Sequence, residues 1–360
     1  MMVAKRMGNT GRLIVRAAVI CGLLTAVVFD AGRSDAMLPL AGAPARLSDR
    51  ELWQLSVEAS EPNGYFRSDN LTSNELGFER VIPELLSRVR PGTVYLGVGP
   101  EQNFTYMAAT RPALAVIFDI RRGNLLVQLM YKALFELAKD RADFVAMLFS
   151  KARPAGLAAT ASVVDLFAAF GSAESSETLY RQNLKAIMDR LTVHHALPLN
   201  QEDRDGIERV YRVFFERGFA VRFSPTYVDL MTATDGAGAY RSYLASEPAY
   251  AFLRGLETQN LVVPVVGDFA GPKAIRRVAS FVKAHGAIVG TFYLSNVEQY
   301  LQNGKWTAFC RNVATLPLDA SSTFIRSTSG RGTAFGPGFV SSLASMQVET
   351  RTCPSGESRP

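Results

Sequence analysis

Three features of the sequence predict an α/β fold with a doubly wound, mainly parallel sheet and an inserted helical block. Short continuous apolar runs recur at residues 93–98, 114–118, 261–266 and 287–293. Segments with apolar residues at helical spacing lie between them. Glycine or aspartate stands at or just past the ends of the first three runs, at Gly97, Gly99, Asp119, Gly267 and Asp268. Continuous apolar strands that alternate with helices indicate a sheet covered on both faces.

The N-terminus reads as an export segment, residues 1–36. Lys5, Arg6, Arg12 and Arg16 precede an apolar run at 17–29, and Ser34-Asp35-Ala36 follows with small residues at the −3 and −1 positions. That run is short of the roughly 20 residues a membrane span needs. Contact with a membrane is therefore expected only through an uncleaved N-terminal segment. The expected location is periplasmic or secreted; Met37 is the alternative start, of a cytoplasmic protein. The net charge of +6 falls partly in this segment and is otherwise scattered, so no nucleic-acid face is expected.

Residues 37–50 are rich in Ala, Pro and Gly and read as a linker, with Ser48 or Asp49 capping a short helix through Val57. The main domain is placed at 51–328. Residues 61–75 are polar, aromatic and turn-rich, with Asp69, Asn70, Asn74 and Glu75 forming a polar cluster. An amphipathic helix is expected at 78–89, one or two helical turns at 104–110, and a helix over 124–149. Further helices at 161–170, 177–191 and 202–217 interrupt the alternation, giving a helical insertion of about 157–217. A possible strand at 220–223 and helices at 239–245 and 248–256 follow. Pro272 opens the next helix, where its missing N–H costs nothing. Trp306 and Phe309 are assigned to the core. The tail, 329–360, reads as disordered.

Chemistry is sparse. The histidines are His194, His195 and His285, and no C-x-x-C, H-E-x-x-H, G-x-S-x-G or phosphate-loop pattern occurs; no metal is expected, and no catalytic residue is assigned. After signal cleavage Cys310 and Cys353 remain, free or paired. The arrangement with most content is strand, Gly97-Val98-Gly99, short helix, strand, Asp119. Glycines after a first strand let backbone N–H groups approach a ligand, and an acid about 20 residues on accepts bonds from ribose hydroxyls. The alternative is a tight turn and a capping aspartate. Arg121 and Arg122 stand ready for a phosphate or carboxylate, or for ion pairs with Asp119 or Glu101.

At these residues the sequence resembles a family of uncharacterised bacterial proteins. The resemblance rests on Glu61-Pro-Asn-Gly-Tyr-Phe-Arg-Ser-Asp-Asn70, Tyr95-Leu-Gly-Val-Gly-Pro-Glu-Gln-Asn-Phe-Thr-Tyr106, Asp119-Ile-Arg-Arg-Gly-Asn124, Gly267-Asp-Phe-Ala-Gly-Pro-Lys273 and Phe292-Tyr-Leu-Ser-Asn-Val-Glu-Gln-Tyr300. It spans roughly residues 50 to 328. The expected Rossmann-type sheet resembles that of class I S-adenosylmethionine-dependent methyltransferases, which carry a glycine loop after the first strand, an acid after the second and a polar motif after the fourth. Gly97/Gly99, Asp119 and Gly267-Asp268 take those places. The chain departs from that pattern at Tyr95-Leu96, where an acid is usual, and at Pro100.

The resemblance implies a crevice for a nucleoside-type or other anionic small molecule, with S-adenosylmethionine a candidate cofactor. Gly97, Gly99 and Gln102 would line its charged end, Asp119 its ribose, and Asp268 with Phe269 its reacting end. Gly267 lies beside them; Asn103, Arg121, Asp69 and Asn70 would close the rim. The rival readings are a non-catalytic exported binding protein and a cell-envelope scaffold.

Overall fold

The structure, a computed structural model, describes residues 42–329, 339–351 and 353. The export segment expected at 1–36 lies outside the described residues. The apolar runs form β1 (Val94–Val98), β2 (Leu114–Asp119), β3 (Val262–Val266) and β4 (Val289–Ser295). These strands are buried along nearly their whole length, so no alternation with polar residues is possible. With β5 (Thr323–Ser329) and β6 (Phe339–Ser345) they make a six-stranded sheet in the order β3-β2-β1-β4-β5-β6. All neighbours are parallel except β5 and β6, which are antiparallel. Register pairs Gly97 with Ile117 and Asp119 with Val266, which brings the exits of β1, β2 and β3 to one edge.

The helices are α1 (Asp49–Ala59), α2 (Ile82–Arg88), α3 (Gln102–Thr110), α4 (Arg122–Leu137), α5 (Arg141–Leu148), α6 (Val163–Phe170), α7 (Glu177–Asp189), α8 (Gln201–Arg217), α9 (Tyr227–Thr232), α10 (Glu247–Thr258), α11 (Ala274–Ala284), α12 (Lys305–Val313) and α13 (Met346–Arg351). Ser48 caps α1 in a full capping box with Glu51, so helix and cap match expectation and take up the end of the linker; Ala43 and Leu47 are also buried. Helices α4 to α10 all fall between β2 and β3, and α7 and α8 pack on α4.

Several expectations need correction. The strand at 220–223 does not form: the chain makes a tight turn at Gly218–Ala220 and bends, leaving Phe223 93% exposed. The segment lies between α8 and α9 and pairs with no strand of the sheet, so its backbone joins no ladder. The 261–266 run is thus the third strand, at the sheet edge, and the fourth-strand exit belongs to Tyr293–Asn296. Residues 239–245 form turns, in which Asp235 Oδ1 accepts the N–H groups of Ala237 and Ala239. The 124–149 helix breaks between α4 and α5, where Asp140 caps α5 by accepting from Asp143 N at 2.8 Å. The 78–89 segment begins as a 3-10 turn, Phe78–Val81. Trp306 is 38% exposed, although Phe309 is buried. The described part of the tail, 339–351, is regular structure: β6 covers the outer edge of β5, α13 follows, and Cys310 pairs with Cys353. An uncovered β5 would expose a row of unpaired backbone groups.

Glu79, on the 3-10 turn, is fully buried, and neither carboxyl oxygen has a partner among the described residues. Burial pushes its carboxyl up to about 8, and does the same to Glu257 on α10, where Lys132 opposes it. The folded chain therefore holds protons that the unfolded chain releases near 4.5. That stabilisation is complete below 4.5 and is lost as pH rises through about 8. Glu79→Gln should flatten this slope and raise stability near pH 8 by on the order of 2 kcal/mol. Urea unfolding of both proteins at about pH 5 and about pH 8 checks this; an unaltered slope would remove Glu79 as its source.

Candidate ligand crevice at the strand exits

The turn after β1 is fixed from below. Asn103, in the first turn of α3, donates to the carbonyls of Val98 (2.9 Å) and Pro100 (2.8 Å), and accepts from Tyr95 OH at 2.9 Å. Gly97 makes room for this: a Cβ there would stand 1.9 Å from Asn103 Oδ1. Gly99 is glycine for a different reason, its positive φ of 82°, and a Cβ there would meet nothing. Gln128 donates to Gly99 O at 3.0 Å from α4. Gly97 and Asn103 are therefore packing partners beneath the turn, and Gly99 is the residue at the surface of the crevice.

Asp119 ends β2 and is 7% exposed. Its Oδ1 accepts from Arg121 N at 2.8 Å and Arg121 Nε at 3.3 Å, and its Oδ2 from Arg121 Nη2 at 3.3 Å. Burial pushes this carboxyl up while Arg121 pulls it down, and burial prevails. Arg121 Nη1 also donates to Asp69 O at 2.6 Å and lies 3.6 Å from Asp69 Oδ1. Arg121 thus ties the 61–75 segment to the end of β2. Arg122 is engaged elsewhere, in a bidentate pair with Asp203 that joins α4 to α8.

Past β3, Asp268 accepts from Ala270 N and pairs with Lys305 of α12 at 3.0 Å. The start of α11 is closed by Glu61, which accepts from the backbone N–H groups of Asp268, Lys273 and Ala274 at 2.8–3.0 Å. A carboxylate there satisfies otherwise orphan donors and complements the helix dipole. Phe269 is buried against Phe118, Phe292 and Phe309.

These exits meet at a cavity of about 310 Å³. Val98, Gly99 and Pro100 line it from β1, Asp119 and Ile120 from β2, Gly267–Phe269 from β3, and Tyr293 and Ser295–Val297 from β4. Tyr65, Phe66, Asn70 and Thr72–Glu75 close one side, and Tyr300, Leu301 and Lys305 the other. Phe66 and Tyr300 meet edge to face with centroids 5.4 Å apart, and Tyr65 is 85% exposed. Asn70 and Ser295, both lining residues, hold positive φ of 44° and 50°. Non-glycine residues in that conformation cost on the order of 1 kcal/mol and tend to gather at functional sites.

Of the residues expected here, Gly99, Asp119, Gly267, Asp268, Phe269 and Asn70 line the cavity. Gly97, Gln102, Asn103, Arg121 and Asp69 do not; Gln102, Asn103 and Arg121 bond to the lining residues Glu75, Val98 and Asp119, whereas Gly97 and Asp69 touch Asn103 and Arg121 behind them. Glu75 is the residue whose importance the sequence hides. Its Oε2 accepts from Gln102 Nε2 and Tyr293 OH, both at 3.0 Å, and from Ser327 Oγ; its Oε1 accepts from Ser295 Oγ. The sequence flags the 69–75 cluster, but three of these partners lie 218 to 252 residues away.

Residues 71–351 match a family described as Domain of unknown function (DUF7790). The chain belongs to that family. The DUF7790 match takes in every strand, Glu75, Asp119 and Asp268, and leaves Tyr65, Phe66 and Asn70 of the crevice mouth outside it. No curated protein matches the chain.

Proposed function

We propose that this DUF7790 chain is an exported small-molecule-binding protein on a Rossmann-type, methyltransferase-like sheet, and that its crevice takes a nucleoside-type ligand. The observation that carries the proposal is that the exits of β1, β2, β3 and β4 all line one cavity. The strand order is that of doubly wound dinucleotide-binding sheets, with the last strand reversed. Such sheets bind ligands where the strand order changes direction, here between β1 and β4. Asp119 is the acid suited to ribose hydroxyls, and Tyr65, Phe66 and Tyr300 offer aromatic faces for a base, a contact worth roughly 1–3 kcal/mol per base.

The Cys310–Cys353 disulfide supports export, since disulfides persist mainly in oxidising compartments. It favours binding without methyl transfer, because S-adenosylmethionine is a cytoplasmic metabolite. The test is a search for retained ligand by mass spectrometry on the purified protein, followed by thermal unfolding with adenosine, S-adenosylmethionine and S-adenosylhomocysteine. A ligand at about 100 times its Kd should add roughly 2.7 kcal/mol of stability. No retained nucleoside and no stabilisation by any of the three would end the proposal.

A further inference from the structure

We propose that the ligand of this crevice carries a cationic group of ammonium type, held against Glu75; the proposal rests on the nucleoside reading and specifies the other end of the ligand. The argument is one of charge. Of the described lining residues, Glu75, Asp119 and Asp268 are acidic and Lys305 alone is basic. Lys305 is paired with Asp268, and Asp119 with Arg121 just behind the wall. Glu75 is 1% exposed, and its bonded partners among the described residues are neutral: Gln102, Tyr293, Ser295 and Ser327. Each of the four carries a hydrogen it can donate to this carboxylate. Its Oε2 takes three of these bonds and its Oε1 one, so Oε1 keeps acceptor capacity.

A buried charge without a counter-ion is costly unless something pairs with it. Tyrosine and serine hydroxyls from β4 and β5 and the Gln102 amide from α3 hold this carboxylate in place without neutralising it, which suits a site whose counter-ion arrives with the ligand. An anionic ligand, expected from the sequence through Arg121 and Arg122, meets both of those guanidiniums already paired.

The sheet also sets the spacing. Asp119 ends β2, Glu75 sits over the ends of β4 and β5, and β1 lies between β2 and β4. Asp119 and Glu75 are thus two to three strand spacings apart, roughly 10–15 Å. A ligand whose ribose hydroxyls meet Asp119 must carry its cation on a chain extended from the 5′ carbon.

Two adenosine 5′-thioethers test this, one ending in 3-aminopropyl and the other in 3-hydroxypropyl, with affinities measured by calorimetry on the full chain. The amine should bind at least about tenfold more tightly, because charge-assisted bonds are about twice as strong as neutral ones. Glu75→Gln should abolish that preference and leave the hydroxyl probe within about threefold. If the variant fails to fold, the N-acetylated amine on the wild-type protein replaces it, and should bind like the hydroxyl probe. Equal binding of amine and hydroxyl by the wild-type protein would overturn the cationic inference and leave the nucleoside reading standing. Binding of neither would overturn both.

Discussion

Replacing His195 by alanine is expected to destabilise the protein by about 3 kcal/mol, because it removes the ring that bridges two carboxylates. His195 Nδ1 lies 2.7 Å from Asp49 Oδ1, and Nε2 lies 2.7 Å from Glu136 Oε2. Each ring nitrogen thus faces a carboxylate oxygen that can accept from it. Asp49 opens α1, Glu136 ends α4, and His195 follows the π-turn after α7, so one ring joins three elements. Asn260, just before β3, donates to the same Asp49 oxygen at 2.8 Å. Burial raises the carboxyls of Asp49 and Glu136, but the bonds from His195, with Asn260 and Lys132, hold both below their ordinary values.

That depression fixes the sign of the pH dependence. The stabilisation is fully present above the ordinary carboxylate range and is lost as pH falls through the lowered values. The cost of His195→Ala should therefore be largest at neutral pH and shrink on acidification. Urea unfolding at several pH values reads both quantities. A loss under about 1 kcal/mol at neutral pH would show that Lys132 and Arg190, which also face Glu136, carry the cluster without the ring.

The sequence makes some of this legible and conceals the rest for physical reasons. β1 to β4 are buried on both faces, so their composition announces them. β5 and β6, Thr-Phe-Ile-Arg-Ser-Thr-Ser and Phe-Val-Ser-Ser-Leu-Ala-Ser, mix polar and apolar residues because they sit toward the sheet edge; β5 carries no strand signal and β6 falls in the tail. Val221-Arg-Phe223 shows the converse error, a β-prone triplet that pairs with no strand of the sheet. Gly99 and Asp119 were readable because each stands at a strand end and strand ends converge in a parallel sheet. Glu75 was not. It lies on an irregular segment without periodicity, and tertiary structure alone brings Tyr293, Ser295 and Ser327 to it. His195 is hidden for the same reason: its partners are 59 and 146 residues away.

Asp119→Asn separates the structural from the ligand-binding role at the centre of the crevice, and both effects are expected. The sequence left two readings open, an aspartate bonded to its neighbours or an aspartate facing ribose. The geometry supplies the first directly: Arg121 engages both carboxylate oxygens, and each side chain is 10% exposed. Asparagine keeps the acceptor for Arg121 N but removes the charge, leaving a buried guanidinium with only Asp69, which is 93% exposed and screened by water. Breaking a buried pair by removing one partner costs about 3–5 kcal/mol, but burial outweighs Arg121 at this carboxyl, so losing its charge also relieves a burial cost, and with the residual Asp69 contact the net loss is expected to be about 1 kcal/mol. The second reading adds a separate quantity. Asp119 lines the cavity, so a ribose hydroxyl donating to its carboxylate would contribute roughly 1.5–3 kcal/mol to binding, about ten- to a hundredfold in Kd. The two are measured on the same variant, stability by urea unfolding without ligand and Kd by calorimetry at a temperature where the variant is fully folded. Unchanged stability would remove the ion-pair account. Lowered stability with an unchanged Kd for a nucleoside that the wild-type protein binds would take Asp119 out of the ligand site and leave it as the anchor of Arg121 and the 61–75 segment.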